Sequence, residues 1–151
     1  IPEATHDETT MYVIGTDGQK MSKSKGNTID IFLPQKELKK VINKKVVTDA
    51  TPLEDPKDAE GSVVYQLHQL VASEDASAKL KSKLEDGGYG WGHAKNDLFG
   101  AITSKFEKER ALFDDLMAKP DIVEEKLQEG AKKAQAVARE VLGRIRAKVG
   151  Y

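Results

Sequence analysis

From Pro34 onward the apolar residues recur at helical spacing, and this periodicity limits the chain to a mainly α architecture. Pro34 suits a helix start. Behind it Leu38, Val41 and Ile42 form a stripe, with Lys36, Lys39, Lys40, Lys44 and Lys45 covering the rest. Residues 48–61 carry Thr48-Asp49, Pro52, Pro56 and Gly61 and read as a loop. Ser62 is placed to cap a helix in which Val63, Val64, Leu67, Leu70 and Val71 share one face. Residues 75–86 form another helix with Leu80 and Leu84 inward, stopped by Gly87-Gly88. The pattern over 94–118 predicts one long helix with Leu98, Ile102, Phe106, Phe113 and Met117 inward, ended by Pro120. Asp121 and Glu124 resemble a capping box. They open a last helix reaching about Lys148, with the stripe Leu127, Ala131, Ala134, Ala138, Val141, Leu142 and Ile145.

The part before Pro34 follows another logic. Residues 1–10 are polar and weakly patterned, and Met11-Tyr12-Val13-Ile14 reads as a short strand ended by Gly15. Residues 29–33 suit either an extended piece or a helical turn. Between these lies Asp17-Gly18-Gln19-Lys20-Met21-Ser22-Lys23-Ser24-Lys25-Gly26-Asn27, with no apolar period. Asp17-Gly18 opens a tight turn, and Gly26-Asn27 tolerates positive φ, so both ends read as loop. Lysines at 20, 23 and 25 put ammonium groups at i, i+3 and i+5, interleaved with two serine hydroxyls. Such a loop can close over a polyphosphate, because lysine is a flexible point charge and the hydroxyls and amides add donors.

Composition narrows the chemistry. At 151 residues the chain is one domain or a little more and can build a core. The net charge of −1 says little about partners. The absence of cysteine removes disulfides, thiolate catalysis and cysteine-ligated zinc, and fits a reducing compartment. His6, His68 and His93 lack metal-ligand spacing, so no metal site is expected. No run reaches membrane-span length and no signal peptide opens the chain. With a catalytic-type loop so near its first residue, which is not methionine, the chain reads as the C-terminal part of something larger. Gly87-Gly88-Tyr89-Gly90-Trp91-Gly92-His93 suits a binding loop or a tight interhelix connection whose aromatics pack on the core, the second being the commoner outcome.

Lys20-Met21-Ser22-Lys23-Ser24 resembles the Lys-Met-Ser-Lys-Ser signature of class I aminoacyl-tRNA synthetases, whose loop closes on ATP. Four further stretches extend the likeness: Val46-Val47-Thr48-Asp49, Gly88-Tyr89-Gly90 with Lys95-Asn96-Asp97-Leu98, Glu129 to Ala134, and Val137-Ala138. Together they are similar to the bacterial tryptophanyl-tRNA synthetase family over nearly the whole chain. One departure matters: the His-Ile-Gly-His signature is missing, and so is the Rossmann nucleotide fold that carries it.

The resemblance implies residues 1–33 as the end of an α/β Rossmann catalytic domain and 34–151 as a helical anticodon-binding domain. It implies an intact cytoplasmic enzyme, a homodimer, that activates tryptophan with Mg²⁺-ATP and charges tRNA(Trp). Within it Lys23 is the main and Lys20 the second catalytic contact, Ser22 and Ser24 supply geometry or hydrogen bonds to ATP, and Met21 is an apolar anchor. Lys25 lies outside the motif. The piece alone is expected to be inactive. On the last helix Lys132, Arg139 and Arg146 recur every seven positions and suit RNA phosphates, while a dipole-matched, solvated helix end explains the same charges. The alternatives are the corresponding part of a tyrosyl-tRNA synthetase, a free-standing helical RNA-binding or interaction module, and, more weakly, a lysine-loop nucleotide hydrolase.

Overall fold

A computed structural model describes Thr5 and residues 12–150. Apart from Thr5, the polar start and Met11 of the expected strand lie outside the described residues. The rest of that strand is reduced to one antiparallel bridge, Ile14 with Lys20. The architecture is mainly α, as expected, with six α-helices among the described residues. The chain forms two compact units, Ile1–Glu107 and Lys108–Tyr151. The division expected at residue 34 falls inside the first.

The first unit holds α1 (Gln35–Lys45), α2 (Val63–Val71), α3 (Glu74–Glu85) and α4 (Trp91–Lys105). Pro34 stands at the N-cap of α1, where its missing N–H leaves no intrahelical bond unmade, and its carbonyl accepts from the Glu37 and Leu38 amides at 2.9 Å. Leu38 and Ile42, one turn apart, are fully buried. The Ser62 hydroxyl accepts from the Tyr65 amide at 3.2 Å and so caps α2. Ser73 caps α3 in the same way through the Ala76 amide, with Glu74 and Asp75 in the first turn favouring the dipole. Leu80 and Leu84 of α3 are buried, as are Ala94, Leu98 and Ile102 of α4. Helix α4 packs against α1, α2 and α3, so the core forms around it. Each fully buried leucine contributes about 1.5–3 kcal/mol relative to exposure.

The glycine-rich stretch is a tight connection. Gly87 and Gly88 both take positive φ, at 79° and 72°, which a side chain would strain. Tyr89 and Trp91 pack on the core. The Tyr89 hydroxyl donates to Asp97 Oδ2 at 2.7 Å, and burial, reinforced by that carboxylate, pushes the phenol up to about 12. Trp91 Nε1 donates to Asp49 Oδ1 at 2.9 Å, tying α4 to the loop after α1. His93 is exposed.

Three expectations fail. The helix predicted over 94–118 is two, because the backbone breaks at Phe106 (φ −109°, ψ 22°) before α5 (Glu107–Ala118). One turn earlier the Thr103 hydroxyl donates to the Phe99 and Gly100 carbonyls, a back-bond that bends helices. The capping box at Asp121 does not form. Lys119 takes the N-cap of α6 (Pro120–Val149), Pro120 fills its first turn, and the lysine ammonium turns back to Asp115. Finally, beyond Phe106 the positions expected inward are not: Phe113 and Met117 are 37% and 67% exposed, no residue of α5 or α6 is buried, and along the α6 stripe Leu127 and Ile145 are 63% and 52% exposed.

Candidate functional site

The lysine loop is held at its base and exposed at its tip. The chain turns at Asp17-Gly18, where Gly18 takes φ 80° and its amide donates to the Gly15 carbonyl at 3.1 Å. The Gln19 amide donates to Asp17 Oδ1 at 3.0 Å, and the Gly15 amide to the Gln19 carbonyl at 2.6 Å. The Met21 amide then donates to the Val13 carbonyl at 2.9 Å. These bonds bring the two arms of the loop together. Ile14 and Met21 are half-buried against the helical core, so the apolar anchor expected of Met21 packs there.

Lys23–Lys25 form a single 3-10 turn. The Lys25 amide donates to the Ser22 carbonyl and the Gly26 amide to the Lys23 carbonyl, each at 3.2 Å. Gly26 closes the turn at φ 66°, a conformation that favours glycine. Lys20, Lys23, Ser24 and Lys25 are exposed, and Ser22 is half-buried with its Oγ 2.8 Å from that of Ser24. The tip thus presents cations and hydroxyls together.

Of the pair Gly26-Asn27, the glycine takes the positive φ and Asn27 does not. It is instead 2% exposed and braces the loop from within. Its Oδ1 accepts from the Ser22 amide at 2.8 Å, and its Nδ2 donates to Asp17 Oδ1 at 2.7 Å and to the Lys20 carbonyl at 3.1 Å. Donation from Asn27, then from the Gln19 amide, holds the Asp17 carboxyl below its ordinary value, with Lys25 adding attraction. The Asn27 carbonyl accepts from the buried Thr16 amide at 2.9 Å, and the Thr16 carbonyl accepts from the Val47 amide at 2.8 Å. The loop base is therefore bonded to the end of α1.

The second set, Lys132, Arg139 and Arg146, lies on the continuous helix α6, and all three are exposed. Seven positions make close to two turns at about 3.6 residues per turn, so they share a face. They belong to the second unit and the loop to the first.

Residues 4–107 match the family model described as tRNA synthetases class I (W and Y). The tryptophan–tRNA ligase of Campylobacter jejuni (strain RM1221) is 42% identical over 150 residues, covering 99% of this chain and 47% of the relative. The tryptophan–tRNA ligase of Fusobacterium nucleatum is 38% identical over 150 residues, with 99% and 46% covered. The crystal structure of tryptophanyl-tRNA synthetase from Campylobacter jejuni complexed with ADP and tryptophan is similar with a TM-score of 0.89 and 42% identity, over 99% of this chain and 47% of that one. The chain spans about half the length of the relatives it matches.

Proposed function

This chain belongs to the class I tRNA synthetases of the tryptophan and tyrosine type, and we propose that it is the C-terminal part of a tryptophan–tRNA ligase. Residues 1–33 are the end of its catalytic domain and residues 34–151 its helical, anticodon-binding part. The observation that carries this reading is the exposed lysine and serine tip on a braced base. The tryptophan enzyme is favoured over its tyrosine counterpart because relatives of that name match along 99% of the chain.

In the reaction the tryptophan carboxylate attacks the α-phosphorus of ATP and pyrophosphate leaves. Negative charge grows on the leaving group, so the lysines contribute most in the transition state. Lys23, on the 3-10 turn, is the main contact and Lys20 the second. Ser22 and Ser24 offer hydroxyls to the phosphate oxygens, and Met21 holds the tip to the core. Mg²⁺, when bound with ATP, would neutralise phosphate charge and would be held mainly through the substrate phosphates. Among the described residues no cluster of His, Asp or Glu forms a protein cage for it. The acyl group then passes to tRNA(Trp), with Lys132, Arg139 and Arg146 as phosphate contacts on α6.

The test is tryptophan-dependent ATP–pyrophosphate exchange by the full-length ligase. Lys23→Ala lowers kcat by roughly 10²-fold, as loss of one preorganised charge contact does, while the tryptophan KM changes little. A large rise in tryptophan KM with unchanged kcat overturns the assignment.

A further inference from the structure

We propose that Asn27 is a positioning residue for the nucleotide reaction: with Asp17 it forms a clasp that fixes the backbone on which Lys20 and Lys23 stand. This rests on the nucleotide-loop reading above and adds a residue that touches no substrate.

Three hydrogen bonds of one side chain define the clasp. Oδ1 holds the Ser22 amide, the residue just before Lys23, at 2.8 Å. Nδ2 holds the Lys20 carbonyl at 3.1 Å and Asp17 Oδ1 at 2.7 Å. Both amide protons and one acceptor site are thus committed. The side chain is 2% exposed, so water cannot readily take over these bonds. The residue must therefore be a donor and an acceptor at once. Aspartate has the shape but offers acceptors only, and would face the Asp17 carboxylate. Glutamine would add a methylene to a filled space. Gly15 shows how tight that space is: a Cβ there would overlap the Asn27 amide. Asp17 is itself oriented by the Gln19 amide, so the clasp has its own support.

A misplacement on the order of 1 Å by a group outside the chemistry costs up to about 10²-fold in rate. In the full-length ligase, Asn27→Asp is expected to lower kcat of pyrophosphate exchange roughly 10- to 10²-fold per active site, counted by the adenylate burst, with tryptophan KM unchanged. The double variant Asp17→Asn with Asn27→Asp rebuilds the bond between positions 17 and 27 with the donor moved but leaves the Lys20 carbonyl without its donor, and is expected to recover only part of the loss. Gly15→Ala is expected to lower kcat in the same direction. Lys23→Ala separates the two levels. If it lowers kcat while Asn27→Asp does not, the clasp is overturned and the nucleotide reading stands. If Lys23→Ala has no effect, the reading falls and the clasp with it. Loss of activity only in proportion to the folded fraction, with normal kcat per counted site, makes Asn27 merely structural and also overturns the proposal. Independently of folding in the variants, the Asn27 side-chain amide protons of the wild-type protein should exchange with solvent far more slowly than those of the exposed Asn43 and Asn96 by NMR. Exchange as fast as theirs refutes the clasp.

Discussion

Lys57→Met tests whether a single buried cation organises the loop between α1 and α2. Lys57 is 3% exposed, although lysine is rarely buried without a partner. Its ammonium donates to the carbonyls of Pro52, Leu53 and Asp55 at 2.9, 3.2 and 2.9 Å, and its own amide donates to the Leu84 carbonyl at 2.8 Å. One side chain thus gathers the loop and one backbone bond fastens it to α3. Hydrogen bonds to a charged group contribute about 1.5–3 kcal/mol each. The three do not add in full, because the carbonyls belong to exposed residues that water can reach once the ammonium is gone. Methionine also keeps most of the apolar stem and removes the cost of burying a charge. The net loss is then about 2–3 kcal/mol. For a unit of this size each kcal/mol lowers Tm by about 4–8 °C, so the expected fall is roughly 10–20 °C.

Trp91 is the chain's single tryptophan, and its indole is bonded to Asp49 in the same loop, so fluorescence melts report the affected unit directly. Lys81→Met is the control. Lys81 pairs with Glu60 at 2.6 Å, but the two side chains are 37% and 58% exposed, and exposed pairs contribute at most about 1 kcal/mol. The short distance by itself does not make that pair the stronger one. If Lys57→Met melts no lower than Lys81→Met, the carbonyl cage does not stabilise the loop and the reasoning is refuted.

Two further outcomes follow from the packing and the charges. His68 is buried with Nδ1 3.3 Å from Ser77 Oγ, and burial pushes its imidazole below the ordinary 6.5 against the attraction of Asp97, with Lys79, Lys83 and Lys105 lining the same groove. The unfolded chain then binds that proton more readily, so its contribution is complete above about pH 6.5 and is lost as pH falls toward the lower folded value; His68→Gln should flatten the Tm decline between about pH 7.5 and 5.5, and an unchanged decline would contradict this. Arg139→Ala on α6 should weaken binding of all tRNAs alike and reduce the salt dependence by roughly 0.7–0.9 units of slope, whereas an unchanged slope returns that face to a solvated helix.

How far the sequence carried the fold depended on whether each signal named its own partner. The stripes of α1 to α4 were legible because Leu38 and Ile42, Val64 and Leu67, Leu80 and Leu84, and Leu98 and Ile102 all bury into one shared cluster. The Ser62 cap was legible because a cap is local, a hydroxyl acting three residues ahead. The break at Phe106 was hidden because the apolar period runs on through it, and a hydroxyl back-bond at Thr103 leaves no mark on that period. The α6 stripe shows the other limit. Amphipathicity says which face of a helix is apolar, and nothing about what stands opposite it. The candidate site divides in the same way. The lysines and serines of 20–25 could be read because their chemistry is written in consecutive side chains. Asn27 and Lys57 could not, because what they hold is mainly backbone: a Ser22 amide and a Lys20 carbonyl for one, three loop carbonyls for the other. Every residue carries a carbonyl, so its identity cannot tell which ones converge. Only the path of the chain can, and that path is itself drawn together by the two side chains that sequence reasoning passed over.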